Sequence, residues 1–274
     1  MKEEADNKIR GIVRFNLLTS LLSILNTNDE NDTDFIIARY LLENMETIKD
    51  TSIYTIADEC YVSRSSIQRF IKNIGYDSFK QMKQYIDDIL EHEKGFIMYT
   101  DHSNYRDYIG NSIKNVLDDV INASKTISFK KLVKKFNAKD HIVILSAEDS
   151  SSACRLFQQQ ILANGKLIRL LTSANSNLSL LKELTKNDLL LVCSVTGNFA
   201  IAINDQLKDI KAEKCLITLN TTSLFEDSYS LICYLGEKGK FSSRAIHSLR
   251  NEYSNYGLTL FFDLFYHDCF IENK

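Results

Sequence analysis

The chain has 274 residues, 44% hydrophobic and 25% charged, with 33 Lys and Arg against 36 Asp and Glu and a formal net charge of −3. That length exceeds an ordinary single domain and provides apolar residues for two cores. A weakly acidic total excludes a protein that holds nucleic acid or anionic lipid by overall charge, so any such affinity must come from a local patch.

In chain order, the opening MKEEADNKIR lacks the apolar run of a signal peptide, and FNLLTSLLSIL is too short and too polar for the roughly 20 apolar residues that cross a bilayer. A soluble, cytoplasmic protein without membrane contact is expected. Residues 28–60 hold nine acids against Arg39 and Lys49, whereas residues 61–84 carry Arg64, Arg69, Lys72, Lys80 and Lys83 against Asp77 alone. The cations are therefore gathered where a polyanion could touch and the acids lie elsewhere.

Within the basic stretch, YVSRSSIQRFIKNIG at 61–75 has two faces. At about 100° per residue, Ile67, Phe70, Ile71 and Ile74 share one apolar stripe. Ser65, Gln68, Arg69 and Lys72 then form one outward row, with Arg64 on its flank. Ser63 suits the N-cap and Gly75 the left-handed position past the end, so a helix is expected over 63–74. Upstream, SIYTIADEC repeats the pattern with Ile53, Ile56, Ala57 and Cys60 behind Ser52. Two helices separated by Tyr61 and Val62, the second with a cationic outer row, match a helix-turn-helix. Solvated helix faces with no ligand carry similar residues, and spacing alone leaves that alternative open.

The stretch SIYTIADECYVSRSSIQRFIKNIGYDSFKQMK resembles the N-terminal domain of RpiR-type transcriptional regulators, through Ser52 and Ile53, Val62 and Ser63, Ser66 to Phe70, Gly75 and Tyr76, and Phe79 and Lys80. Tyr61 stands where that family usually has Gly, so a positive φ is expected at a residue with a side chain. DTDFIIARYLLENMETIKDTS also resembles the family's preceding helix. The resemblance implies binding to a double-stranded DNA operator. Ser65, Gln68 and Arg69 would face base edges, and Arg64, Lys72, Lys80 and Lys83 would hold phosphates. A homodimer or homotetramer on a two-fold site is expected.

After residue 100 a helical pattern with Ile109, Ile113, Val116, Leu117 and Val120 and then SFKKLVKKF precede five short apolar runs. These are HIVIL at 141–145, KLIRLL at 166–171, DLLLVCSV at 188–195, KCLITL at 214–219 and SLICYL at 230–235. Continuous apolar runs suit strands covered on both faces. SSACRLFQQQILANG, NSNLSLLKELTK and NFAIAINDQLKDIKAE supply helices between them, and NTTSLFEDSY has room for a single turn. The expected architecture is an all-α helix-turn-helix domain at 1–92, a linker at 93–104, and at 105–274 an α/β, doubly wound, flavodoxin-like parallel sheet of five strands in the order 2-1-3-4-5.

In such a sheet a ligand sits where strands one and three end. Both ends lead into hydroxyl-rich loops that open helices, which suits an anion. Ser146, Ser151 and Ser152 belong to the first loop, and Ser194, Thr196, Gly197 and Asn198 to the second. The same residues also serve as ordinary caps and turns. LLLVCSVTGN resembles the strand signature of the SIS (sugar isomerase) domain, which in RpiR-type regulators senses phosphosugars, and FSSRAIHSLRNEY resembles its Ser-Arg stretch at Ser243 and Arg244. The family's Gly-rich first turn is missing. Glu148 and Asp149 would oppose a phosphate by about 1 kcal/mol each when partly solvated, so either they point away or the effector differs, an amino sugar for example.

SIS domains also serve aldose-ketose isomerases, which leaves a sugar-phosphate isomerase with a vestigial helical domain as the competing class. His247 and Glu252, five residues apart on a helix, make a poor acid-base pair and read as surface positions. A protein-interaction module without DNA would leave the Arg69 row unexplained. Cysteines at 60, 154, 193, 215, 233 and 269, with no CxxC, read as reduced buried thiols; His267 and Cys269 read as packing residues, and no metal or cofactor is expected. YGLTLFFDLFYHDCF is either a subunit contact or a segment buried on its own domain.

Overall fold

The computed structural model describes residues 17–84, 86, 90, 104–172, 178–239 and 252–270. The chain divides into two compact units, Met1–Tyr105 and Arg106–Lys274. Of the expected linker at 93–104 only Asn104 is described, and Ser243, Arg244, His247 and residues 175–177 lie outside the described residues.

The first unit is helical: α1 (Leu17–Thr27), α2 (Thr33–Glu43), α3 (Ile53–Glu59) and α4 (Arg64–Asn73), with residues 79–84 helical as well. Each of the last two labelled helices starts where a serine satisfies a free backbone donor. Ser52 Oγ accepts from the Thr55 N–H and Ser63 Oγ from the Ser66 N–H, both at 3.1 Å. Gly75 ends α4 at φ +94°. Leu21, Ile37, Leu41, Ile56, Ile67, Phe70 and Ile71 fill one core beneath them. The expected stripe on α4 is thus sealed, except that Ile74 is only half-buried.

In the second unit α5 (Tyr105–Ser124) and α6 (Ile127–Asn137) precede the sheet. Its elements are β1 (Ile142–Ser146), α7 (Ser151–Leu162), β2 (Arg169–Thr172), β3 (Leu189–Cys193), α8 (Asn198–Leu207), β4 (Glu213–Thr218), β5 (Leu231–Tyr234) and α9 (Leu258–Phe270). Every pairing is parallel and the order is β2-β1-β3-β4-β5, as expected. Ile142, Ile144, Leu189, Leu191, Cys215 and Ile217 join one core with α6, α7 and α9. The alternate positions Val143, Leu145, Leu190, Val192 and Leu216 are buried too, which accounts for the unbroken apolar runs.

The crossover from β2 to β3 departs from the sequence expectation. Its described part is a 3-10 helix, Leu178–Glu183, rather than an α-helix. Thr185 to Asp188 are taken up by a side-chain-bonded turn into β3, which leaves a short connector. The 223–225 connection is a single 3-10 turn, as expected.

The C-terminal apolar segment is buried on its own domain. Phe262 stacks on Phe157 at 4.6 Å between centroids, while Phe261 and Phe265 meet Phe129 and Phe136 edge-on at 5.1 Å. All six cysteines are free and buried. Burial pushes the Cys60 thiol up to about 11 and those of Cys215 and Cys269 up to about 12, so these three stay protonated near neutral pH. No described helix is long and apolar enough to cross a membrane, and no metal-ligating group of three occurs among the described residues.

Candidate nucleic-acid interface and effector crevice

With Ile67, Phe70 and Ile71 sealed in the core, the remaining surface of α4 is fixed by helical geometry. Arg64, Ser65, Gln68, Arg69 and Lys72 are all exposed, and Lys80 is exposed nearby. Among the described residues Gln68, Arg69, Lys72 and Lys80 make no side-chain hydrogen bond or ion pair. Ser65 Oγ lies 2.7 Å and Ser66 Oγ 2.9 Å from Ser63 Oγ, so the N-cap is a small hydroxyl cluster.

Two positions add to this picture. Lys83, grouped with the phosphate-facing cations from its charge, is half-buried. Its ammonium donates to the Lys49 and Thr51 carbonyls at 2.6 and 3.0 Å, across 34 and 32 residues of sequence that no local pattern reveals. Tyr54, which sequence reasoning did not single out, carries the Arg64 guanidinium over its ring, 4.5 Å from the centroid. Tyr54 is the second residue of the first helix of the motif and is exposed, outside the buried pair Ile56 and Ala57.

The turn between α3 and α4 contains the one departure from the family pattern noted there. Tyr61 has φ +54°, the only non-glycine residue with positive φ among the described residues, and is 96% exposed.

In the α/β unit β1 and β3 are adjacent, with Ser146 opposite Cys193, so the loops that follow them emerge side by side at the carboxyl edge. Ser146 is fully buried; its hydroxyl donates to the Ala147 carbonyl at 2.7 Å and receives the Cys154 thiol at 3.6 Å. A 3-10 turn, Glu148–Ser150, leads into α7, where Ser151 is nearly buried and Ser152 exposed. Glu148 Oε2 is buried with no hydrogen-bond partner among the described residues, so at least one acid of this loop does not simply point to solvent.

The second loop is knitted to its own helix. Ser194, 1% exposed, accepts the Ala200 N–H at 3.3 Å, and Thr196 Oγ1 accepts the Asn198 N–H at 3.4 Å. Gly197 is the left-handed N-cap of α8 at φ +80°, and Asn198 is half-buried. Asn220, beyond the end of β4, donates from its amide to the Thr196 carbonyl at 2.9 Å. Sequence reasoning passed over Asn220, because its partner lies in another strand's loop.

Glu252 corrects the reading of it as a surface residue. It is 1% exposed, and its Oε1 accepts the Ser112 hydroxyl at 3.1 Å across 140 residues of sequence. Its carboxylate also contributes to the raised pKa of Tyr108, after burial of that phenol.

Residues 16–93 match the family model described as helix-turn-helix domain, rpiR family. The chain is 23% identical over 171 residues to the HTH-type transcriptional regulator GlvR of Bacillus subtilis (strain 168), a match covering 61% of this chain and 62% of that protein. Among solved structures it is similar to the Vibrio vulnificus NanR protein complexed with ManNAc-6P, with 17% identity, a TM-score of 0.43 and coverage of 93% of this chain and 91% of that one. It is also similar to the sugar isomerase domain of an RpiR transcription factor from Sphaerobacter thermophilus, with 16% identity, a TM-score of 0.41 and coverage of 58% and 90%.

Proposed function

We propose that this chain, whose residues 16–93 match the helix-turn-helix domain model of the rpiR family, is a sequence-specific DNA-binding transcriptional regulator controlled by a small phosphosugar or amino-sugar effector. The observation that carries this is the two-sidedness of α4: Ile67, Phe70 and Ile71 are sealed inside while Ser65, Gln68, Arg69 and Lys72 stand outward in one row with Arg64 exposed on its flank. Ser65, Gln68 and Arg69 read base edges in the major groove, and Arg64, Lys72 and Lys80 meet phosphates. Lys83 already commits two of its three ammonium donors to the Lys49 and Thr51 carbonyls, which leaves one for a phosphate. One short helix gives little affinity at physiological salt, so the working form is a homodimer or homotetramer on a two-fold operator, in the cytoplasm.

The effector binds at the paired loops after β1 and β3. Ser151, Ser152, Thr196, Gly197 and Asn198 supply contacts at the starts of α7 and α8, while Ser146 and Ser194 shape the loops from beneath. No catalytic step is assigned, and a panel of sugar phosphates is expected to give no isomerase turnover.

The test is a mobility-shift assay with DNA from upstream of the chain's own gene, repeated with a panel of sugar phosphates and amino sugars. Retarded operator whose retardation one effector changes is the expected result. Failure to retain duplex DNA, together with turnover of a sugar phosphate, would favour the isomerase class.

A further inference from the structure

Arg64 is the first residue of α4, an electrostatically poor place for a cation, because the free N–H groups of that end already carry partial positive charge. Its guanidinium lies over the Tyr54 ring, 4.5 Å from the centroid, and both side chains are on the surface, Tyr54 being 59% exposed. An exposed stack of this kind adds little to folding, while the adjacent Ser63 hydroxyl is already committed to the Ser66 N–H at 3.1 Å. The placement of Arg64 is therefore not explained by the needs of its own helix.

We propose that Tyr54 is a positioning residue for Arg64, holding the guanidinium flat on its ring as a clamp for a phosphate oxygen of duplex DNA beside the groove that α4 enters. The inference rests on the DNA-binding function proposed above. Its physics is that of a planar cation. Stacking engages the π-face of the guanidinium and leaves its in-plane N–H donors free to fork onto an oxygen. The negative face of the ring offsets the positive helix end. A side chain with several rotatable bonds is also partly ordered before DNA arrives, which lowers the entropy lost on binding.

The test is a set of anisotropy titrations on the full chain with operator and with an unrelated duplex. Tyr54→Ala is expected to weaken both DNAs equally, by about 3- to 5-fold, without lowering the melting temperature. Tyr54→Phe, which keeps the ring, is expected to stay within about 2-fold of wild type. In an Arg64→Ala background, Tyr54→Ala is expected to cost nothing more, and Arg64→Ala itself should flatten the salt dependence by about one phosphate contact. An undiminished loss in the Arg64→Ala background, a loss confined to the operator, or a Phe variant as weak as the Ala variant would each overturn the inference. Should the wild-type chain retain no duplex at all, the DNA-binding function falls. The stack is still read without DNA, as a ring-current shift of the Arg64 Nε–H resonance that Tyr54→Ala removes and Tyr54→Phe keeps. Absence of that shift in the wild type overturns the inference independently.

Discussion

Gly197 and Asn220 stand back to back at the end of the sheet: a Cβ on Gly197 would lie 2.6 Å from Asn220 Cβ, while the Asn220 amide donates to the Thr196 carbonyl at 2.9 Å. The loop after β3 is thus held by backbone shape and by one amide from the neighbouring strand's end.

Gly197→Ala must either displace Asn220 or distort the loop, and it places a side chain at φ +80°. Left-handed backbone alone costs about 1–2 kcal/mol, and the overlap adds to it. Chemical denaturation of the α/β unit should show a loss of at least about 2 kcal/mol, with effector response abolished and effector-free DNA binding retained. Unchanged stability would show that the contact relaxes without cost.

Tyr61 occupies the left-handed region at φ +54° with its ring 96% exposed, so it pays for backbone strain without burying its side chain. Tyr61→Gly is expected to stabilise the helical unit by up to about 1 kcal/mol, the relieved strain being partly offset by the greater freedom of glycine in the unfolded chain. A thermal melt monitored by helical circular dichroism measures it, and a lower midpoint for the glycine variant would contradict the strain assignment.

Asp188 is nearly buried and receives the Thr185 N–H at 2.5 Å and the Thr185 hydroxyl at 2.8 Å. Burial pushes its carboxyl up, but these bonds, with His141 and Lys139 nearby, outweigh burial and hold it below the ordinary 3.8. A depressed folded value means that the contribution is present above the unfolded value and is lost as pH falls through the folded one. Asp188→Asn should therefore cost about 1–3 kcal/mol at pH 7, and the gap to wild type should narrow as pH falls below about 4. Urea midpoints at neutral and strongly acid pH decide this; a gap independent of pH would remove the carboxylate from the account.

The helix-turn-helix was legible because its signals are local: Ser52 and Ser63 cap the helices they were expected to cap, and the Ile67, Phe70 and Ile71 stripe is the buried one. The strand order was legible because unbroken apolar runs and short crossovers leave few topologies. What escaped depends on distant partners. A serine that feeds a ligand and one that caps its own helix read alike in sequence, and only the fold shows Ser194 turned to the Ala200 N–H. Glu252 looked superficial until Ser112 appeared beside it, and Lys83 looked free until the Lys49 and Thr51 carbonyls did. The helical pattern around 178–183 lost to the Thr185–Asp188 turn that follows it.

The central claim is that the outer row of α4 reads DNA, and Arg69 is the residue on which it depends most, being exposed and without an ionic partner among the described residues. The most direct measurement is the operator affinity of Arg69→Ala at physiological salt, compared with its affinity for unrelated duplex. Loss of operator preference, about 1–3 kcal/mol or more of discrimination per base contact, with an unchanged melting temperature is the predicted result. Wild-type affinity and selectivity in that variant would contradict it.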